Sequence, residues 1–362
     1  MTKTVTLSTS GLTQADVVDV ARHGAKVVIS QTALDAMAKT REHIEKLAVA
    51  ENAVYGISTG FGALANRHID VADRVKLQKS LIRSHAAGMG AIVENEVTRA
   101  LMLLRLKTLC SGRTGVRPEV AETYAKLLNA NITPIVHEFG SLGCSGDLAP
   151  LAHCAMVVMG EGRAFGPDGI EKPVAELLRD ANITPVELRE KEGLALINGT
   201  DGMLGMLILA IHDLESLTDS ADVIAAMSVE GLLGTDQVFR PELHFALRPH
   251  AGQAKSAANM YAALAGSPIV ASHRDGDDRV QDAYSLRCAP QVTGAVRDSI
   301  AYAKSVAENE LAASIDNPVV LESGEVTSNG NFHGAPVGYV LDFLAITATD
   351  LGSMSERRTD RM

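Results

Sequence analysis

Apolar residues recur at three- and four-residue intervals through most of the chain, the period of helices that bury one face. The pattern predicts helices at about 71–88, 93–110, 117–130, 147–160, 198–233, 250–265, 281–312 and 336–359. Two more open near the N-terminus. In TQADVVDVAR, Thr13 stands three residues before Asp16, and in TALDAMAKTREHIEKLAVAE, Thr32 stands three before Asp35. Each pair fits an N-cap followed by a first-turn carboxylate. Several runs exceed the mean helix of about 11 residues, which points to a bundle of long helices. Strand-like stretches such as TVTLS and NPVVLESGEV are short, and alternating βαβ units are not visible. ANITP occurs at 130–134 and 181–185 as a helix end before an X-Pro turn, too little to imply a repeat architecture.

Composition narrows the picture. A chain of 362 residues suits two domains or one long helical assembly. Aromatics are 4% and Trp is absent, so the core rests on Ala, Leu, Val, Ile and Met, which favours close helix packing. A net charge of −11 without any Lys/Arg block argues against a nucleic-acid surface and for a small polar substrate. Cys110, Cys144, Cys154 and Cys288 form no CxxC pair and no zinc spacing, and a reducing cytoplasm fits them. MTKTVTLSTSG lacks the apolar stretch of a signal peptide, and no uncharged apolar run approaches the roughly 18 residues of a membrane span. The chain therefore reads as soluble and intracellular, with no membrane partner.

Candidate chemistry lies in the Gly- and polar-rich segments between helices: VYGISTGFGALANRHI, EFGSLGCSGD, INGTDG, SHRDGDDRVQDAYSLRC and TSNGNFHGAP. Residues 140–150, GSLGCSGDLAP, admit four readings. A nucleophile elbow needs a glycine where Asp147 stands, and no strand precedes it. A phosphate loop needs a Lys after Gly146. A helix start, with Ser145 or Asp147 capping LAPLAHCAMVVM and Pro150 in the first turn, accounts for Asp147 and Pro150 but not for the glycines at 143 and 146. In the fourth reading the amide nitrogen of Gly146 closes on the carbonyl carbon of Cys144. Loss of two waters, one from closure and one from the Ser145 side chain, leaves an exocyclic methylidene. Glycine lets the nitrogen approach, and the product is an electrophile that no ordinary side chain supplies.

GSLGCSGDLAPLAH resembles the signature of the aromatic amino acid ammonia-lyases, whose 4-methylideneimidazole-5-one (MIO) group forms autocatalytically from an Ala-Ser-Gly or similar triplet. Here the triplet is Cys144-Ser145-Gly146, and only the backbone carbonyl of Cys144 enters the ring. The resemblance runs from about residue 50 to 359. YGISTGFGALANRHI matches the family's Tyr loop with Tyr55, INGTDG supplies Asn198, QDAYSLRCAPQV supplies Gln281, Tyr284 and Arg287, and NFHGAP supplies Phe332. Ser84-His85 in RSHAAG is similar to the histidine-specific branch, as is ELHFALRPHAGQ; tyrosine and phenylalanine enzymes typically show His-Leu or Phe-Leu.

The resemblance implies a mainly α fold, a long-helix bundle of the histidase/aspartase type. It implies a smaller N-terminal active-site domain at 1–110, then the MIO loop and bundle at 111–362. It also implies a homotetramer with shared sites, in which 281–287 serves a neighbouring subunit's ring. Family members continue beyond the position of Met362 with further bundle helices and a Glu near the ring, so the resemblance implies that this chain is a truncated portion of a longer enzyme. The implied reaction eliminates ammonia from L-histidine to give trans-urocanate. Tyr55 would be the general base, Arg287 the carboxylate fork and His85 the partner of the substrate imidazole. Asn198, Gln281 and Tyr284 would orient the amine and the ring system, with Phe332 as an apolar wall. No external cofactor is implied.

Plainer readings stand beside these. Tyr55 can pack in its loop, His85 can be a structural histidine, and Arg287 can be a solvated or paired helix residue. His137, His153, His244, His250, His273 and His333 lack metal-site spacing and read as structural or supporting, with no metal. SHRDGDDRVQD lacks the pattern of a calcium loop and reads as a solvent-facing or intersubunit loop. The alternatives for function are a tyrosine or phenylalanine ammonia-lyase or aminomutase on the same scaffold, and a non-catalytic helical assembly protein without a mature ring.

Overall fold

The computed structural model describes residues 3–49, 57, 59–60 and 69–362. It is a mainly α structure. Its helices are α1 (Gln14–Arg22), α2 (Gln31–Ala48), α3 (Val71–His85), α4 (Asn95–Cys110), α5 (Pro118–Asn129), α6 (Leu148–Val158), α7 (Val174–Asp180), α8 (Glu192–Ile197), α9 (Asp201–Gly231), α10 (Ala251–Leu264), α11 (Pro268–Ser272), α12 (Tyr284–Arg287), α13 (Ala289–Ala312) and α14 (Ala335–Thr359). The strands are β1 (Thr4–Leu7), β2 (Lys26–Ile29), β3 (Met89–Ile92), β4 (Thr133–Pro134), β5 (His137–Phe139), β6 (Arg163–Phe165), β7 (Glu171–Pro173), β8 (Val319–Val320) and β9 (Val326–Thr327).

The chain divides into two compact units, one of residues 1–208 with 307–338, the other of 209–306 with 339–362. Residues 110 and 111, where the sequence reading draws its domain boundary, both lie inside the first unit. That unit is built around α4, in which every residue from Thr98 to Cys110 is buried. Such a helix has no solvent face, so its charged residues need internal partners. Against it pack α1, α2, α5 and α6, with Val120, Tyr124, Leu127, Leu151 and Val158 fully enclosed. The core of the second unit gathers Ala225, Val229, Phe239, Met260, Leu264, Val270 and Leu286.

Local chemistry corrects three expectations. Thr13 forms the predicted capping box with Asp16, but the cap of α2 is Ser30, whose hydroxyl accepts from Ala33 N at 3.2 Å, and not Thr32. Both hydroxyls suit a cap, and the extended backbone at Ser30 selects it. The expected absence of βαβ units fails once: β1, within the strand-like TVTLS, pairs in parallel across α1 with β2, which at four residues is too short to stand out in the sequence. The helix expected at 281–312 starts later and is broken, with α12 of four residues ending at Cys288 before α13. The longer strand-like stretch, NPVVLESGEV, forms only the two-residue pairing of β8 with β9. Within Glu192–Gly231, one window has a mean hydropathy of 1.7, which would suit a membrane span, yet 89% of that window is buried in the protein.

Candidate active site

The GSLGCSGD segment folds back on itself before α6. Leu142 N donates to Gly146 O at 2.9 Å and Gly146 N to Leu142 O at 3.0 Å, so Gly143, Cys144 and Ser145 project as a short loop. Gly146 has φ +70, and a Cβ there would lie 2.2 Å from the carbonyl oxygen of Gly199. No residue with a side chain fits that position without moving backbone. Asp147 N donates to the same Gly199 oxygen at 2.8 Å, and Gly334 N donates to Cys144 O at 3.2 Å. The turn is therefore pinned on one side by the 199 loop and on the other by the 334 loop. Gly143 differs: a Cβ there would meet nothing within 4 Å, and nothing in the structure explains this glycine.

These features fit a ring made from the triplet. Closure joins the Gly146 nitrogen to the Cys144 carbonyl carbon, and the hydrogen bond from Gly334 polarises that carbonyl. The Cys144 side chain is exposed, with its Sγ 3.9 Å from Ser145 Oγ, and the ring makes no use of it.

Asp147 occupies the cap position of α6 but makes no side-chain bond to its own helix. Its buried Oδ2 instead accepts from Gly202 N at 2.7 Å and Met203 N at 3.1 Å, capping the start of α9. The helix-start reading identified the right residue and the wrong helix. Burial pushes the Asp147 carboxyl up to about 6, against the hydrogen bonds that favour its charge.

Asn198 ends α8 in a position only 8% exposed. Its Nδ2 donates to Asn317 O at 2.8 Å, and its backbone oxygen accepts from Arg105 Nη1 at 3.2 Å. Arg105 is fully buried in α4 and also donates to Ala195 O, Ile315 O and, through two nitrogens at 3.0 and 2.5 Å, Asp201 Oδ2. One guanidinium thus fixes the backbone on both sides of Asn198. Lys191 and Asp316, the latter next to Asn317, form a second, fully buried pair. Phe332 is half-buried, and its carbonyl oxygen lies 3.2 Å from where a Gly146 Cβ would sit. The first unit therefore brings the triplet together with the 199 loop and the Phe332 backbone.

His85 closes α3. Its Nδ1 lies 2.8 Å from Leu81 O and, since a carbonyl oxygen only accepts, Nδ1 donates in that bond. In the second unit, Gln281, Tyr284 and Arg287 share a cavity of about 450 Å³ with Arg279 and Arg361. Arg287 Nε donates to Asp282 O at 2.9 Å, and its guanidinium carbon lies 4.3 Å from the centre of the Tyr284 ring. That leaves the terminal nitrogens of Arg287 as a fork. In the acidic loop, Asp277 pairs with Arg279 and lies 3.3 Å from His273, so much of its charge is internally matched. Tyr55 lies outside the described residues. Among the described residues, no group of three or more His, Cys, Asp or Glu is placed to hold a metal ion.

Sequence reasoning missed Arg105, Gly199, Gly334 and the second role of Asp147. Arg105 leaves one trace, a charge inside the otherwise apolar run LMLLRL, whose partner Asp201 lies 96 residues away.

A mainly helical scaffold that holds a Cys-Ser-Gly turn against a buried Asn loop fits the carbon–nitrogen lyases. Residues 12–362 match the aromatic amino acid lyase family, and the chain belongs to it. Enzymes of this family depend in general on an MIO group. The chain is 65% identical over 359 residues to the histidine ammonia-lyase of Streptomyces avermitilis, covering 99% of this chain and 70% of that one. It is 43% identical over 367 residues to the tyrosine ammonia-lyase of Cupriavidus metallidurans, covering 97% and 69%. Among solved structures, a tyrosine aminomutase from Streptomyces globisporus superimposes with a TM-score of 0.91 at 37% identity, covering 99% of this chain and 70% of that one.

Proposed function

We propose that this chain is a histidine ammonia-lyase, eliminating ammonia from L-histidine to give trans-urocanate without oxidation. The observation that carries the reading is 65% identity to a histidine ammonia-lyase across nearly the whole chain, against 43% to a tyrosine enzyme.

Cys144, Ser145 and Gly146 are the residues that would form the MIO ring, which would supply an electrophilic carbon for the substrate amine and so make it a better leaving group. The chain's own residues do the rest. Arg287 offers its terminal nitrogens to the substrate carboxylate as a planar fork, with the Tyr284 ring supporting the guanidinium. His85, with its Nδ1 held by Leu81 O, offers Nε2 to the substrate imidazole. Asn198, held by Arg105 and Asn317, orients the amine through its side-chain oxygen, and Gln281 and Tyr284 align the remainder of the substrate. Phe332 forms an apolar wall. Tyr55 takes the β-proton, a task that requires a phenol made more acidic by its surroundings. The two groups of residues lie in separate units, and the reading includes a homotetramer in which 281–287 of one subunit serves another's triplet. It also includes a cytoplasmic location, which suits four free thiols.

The purified protein is expected to convert L-histidine into urocanate, followed by ultraviolet absorbance. Release of coumarate from L-tyrosine, cinnamate from L-phenylalanine, or a β-amino acid, with no urocanate, would favour the alternatives on the same scaffold.

A further inference from the structure

Three residues beyond His85 the chain meets a second imidazole. Gly88 N donates to His153 Nε2 at 3.1 Å, and because a backbone N–H only donates, that nitrogen must hold a lone pair. Two residues on, His137 Nδ1 donates to Gly90 O at 3.0 Å. The two rings face each other with centroids 5.7 Å apart and a 58° tilt. Residues 88–90 are thus gripped at an N–H by one ring and at a carbonyl by the other. The grip is tight, since a Cβ on Gly88 would lie 3.1 Å from His153 Nε2 and 3.3 Å from His137 Cβ.

Position gives the contact its meaning. His153 lies on α6, the helix that begins directly after the Cys-Ser-Gly turn, and α6 packs against α3, which ends at His85. Beyond α3, Ala86 N returns to Ile82 O and Ala87 N to His85 O. Gly88 N is the next amide, and without His153 this half-buried N–H would lose its protein partner. The exit path of α3 would shift to avoid that loss. Burial, aided by the neighbouring His137, holds the His153 imidazole below its ordinary value, so the acceptor form persists at neutral pH.

We propose that His153 is a positioning residue for substrate recognition: by holding the Gly88 amide it fixes the end of α3 and, with it, the His85 ring. Preference for histidine over a larger aromatic substrate then depends on a side chain that does not touch the substrate. The inference rests on the assignment of His85 to the substrate imidazole.

The test compares His153→Leu, His153→Gln and His85→Leu in the intact protein, with L-histidine and L-tyrosine as substrates and the intact mass as a measure of ring content. His153→Leu is expected to raise KM for L-histidine roughly tenfold and to narrow the histidine-over-tyrosine ratio of kcat/KM, with the two-water mass loss unchanged. His153→Gln, whose amide oxygen can accept from Gly88 N, is expected to recover most of the KM. If His85→Leu leaves KM at the wild-type value, the reading of His85 itself fails. If His85→Leu raises KM while His153→Leu leaves KM and selectivity untouched, the positioning role is overturned. It is also overturned if His153→Leu lowers kcat alone or abolishes the two-water loss, or if His153→Gln is as impaired as His153→Leu. Should His153→Leu fail to fold, Gly88→Ala presses a methyl group onto the same ring and is expected to raise KM in the same way; a wild-type KM there counts against the proposal.

Discussion

The Cys144–Gly146 turn is held by backbone, with carbonyl and amide groups of Gly199, Gly334 and Leu142 fixing it and a fully buried Arg105–Asp201 pair behind the 199 loop. The Gln281–Arg287 cluster is held mainly by side chains at the surface: Gln281 is exposed and Tyr284 is 72% exposed. The difference follows from what each region is asked to do. A ring built from the main chain requires a bent backbone with nowhere else to go, and burial enforces that. A carboxylate fork must stay open to its ligand, so it costs little to alter structurally and much to alter functionally.

Substitutions in the two regions should therefore separate fold from chemistry. Ser145→Ala removes the oxygen lost in ring formation and is expected to abolish elimination while thermal stability stays near wild type; retained full turnover would break the account of the turn. Gly146→Ala strikes the backbone itself. A left-handed alanine alone costs about 1–3 kcal/mol, and contact with Gly199 O adds to it, so the melting temperature should fall along with ring formation. Arg287→Lys, by contrast, should leave the melting temperature unchanged and raise KM roughly tenfold, since a point charge replaces a bidentate fork. A large stability loss at Arg287 would erase the contrast between the regions.

The last effect is seen only as a dependence on pH and concerns Asp147. Its folded pKa, pushed up to about 6, exceeds the ordinary carboxyl value of 3.8, so the folded state binds more protons than the unfolded state between those values. Its contribution to stability is present at low pH and is lost as pH rises through that window, by on the order of 3 kcal/mol. Asp147→Asn keeps an acceptor for the α9 amides without the charge. Its stability relative to wild type should rise between pH 4 and 6 and then level off in pH-dependent unfolding; a constant difference would contradict this.

The same contrast explains what was legible in the sequence. The triplet, Asn198 and the 281–287 cluster stand in local motifs of fixed spacing, and the long amphipathic helices announce themselves by period. Arg105 could not be read, because its role depends on Asp201 and on carbonyls brought together only by folding. Asp147 looked like a local cap because sequence reveals adjacency, and α9 is adjacent only in space. Gly146 and Gly143 looked alike, and only three-dimensional crowding tells them apart. Ser30 and Thr32 offered equivalent hydroxyls, and the backbone entering α2 chose between them.

The central claim is that residues 144–146 mature into an electrophile, and the mass of the intact protein tests it most directly. A chain lighter than its encoded sequence by two waters, with the loss mapped to the peptide that contains Cys144, Ser145 and Gly146 and absent in Ser145→Ala, is the predicted result. An unmodified mass in protein that nonetheless releases urocanate from L-histidine would contradict it.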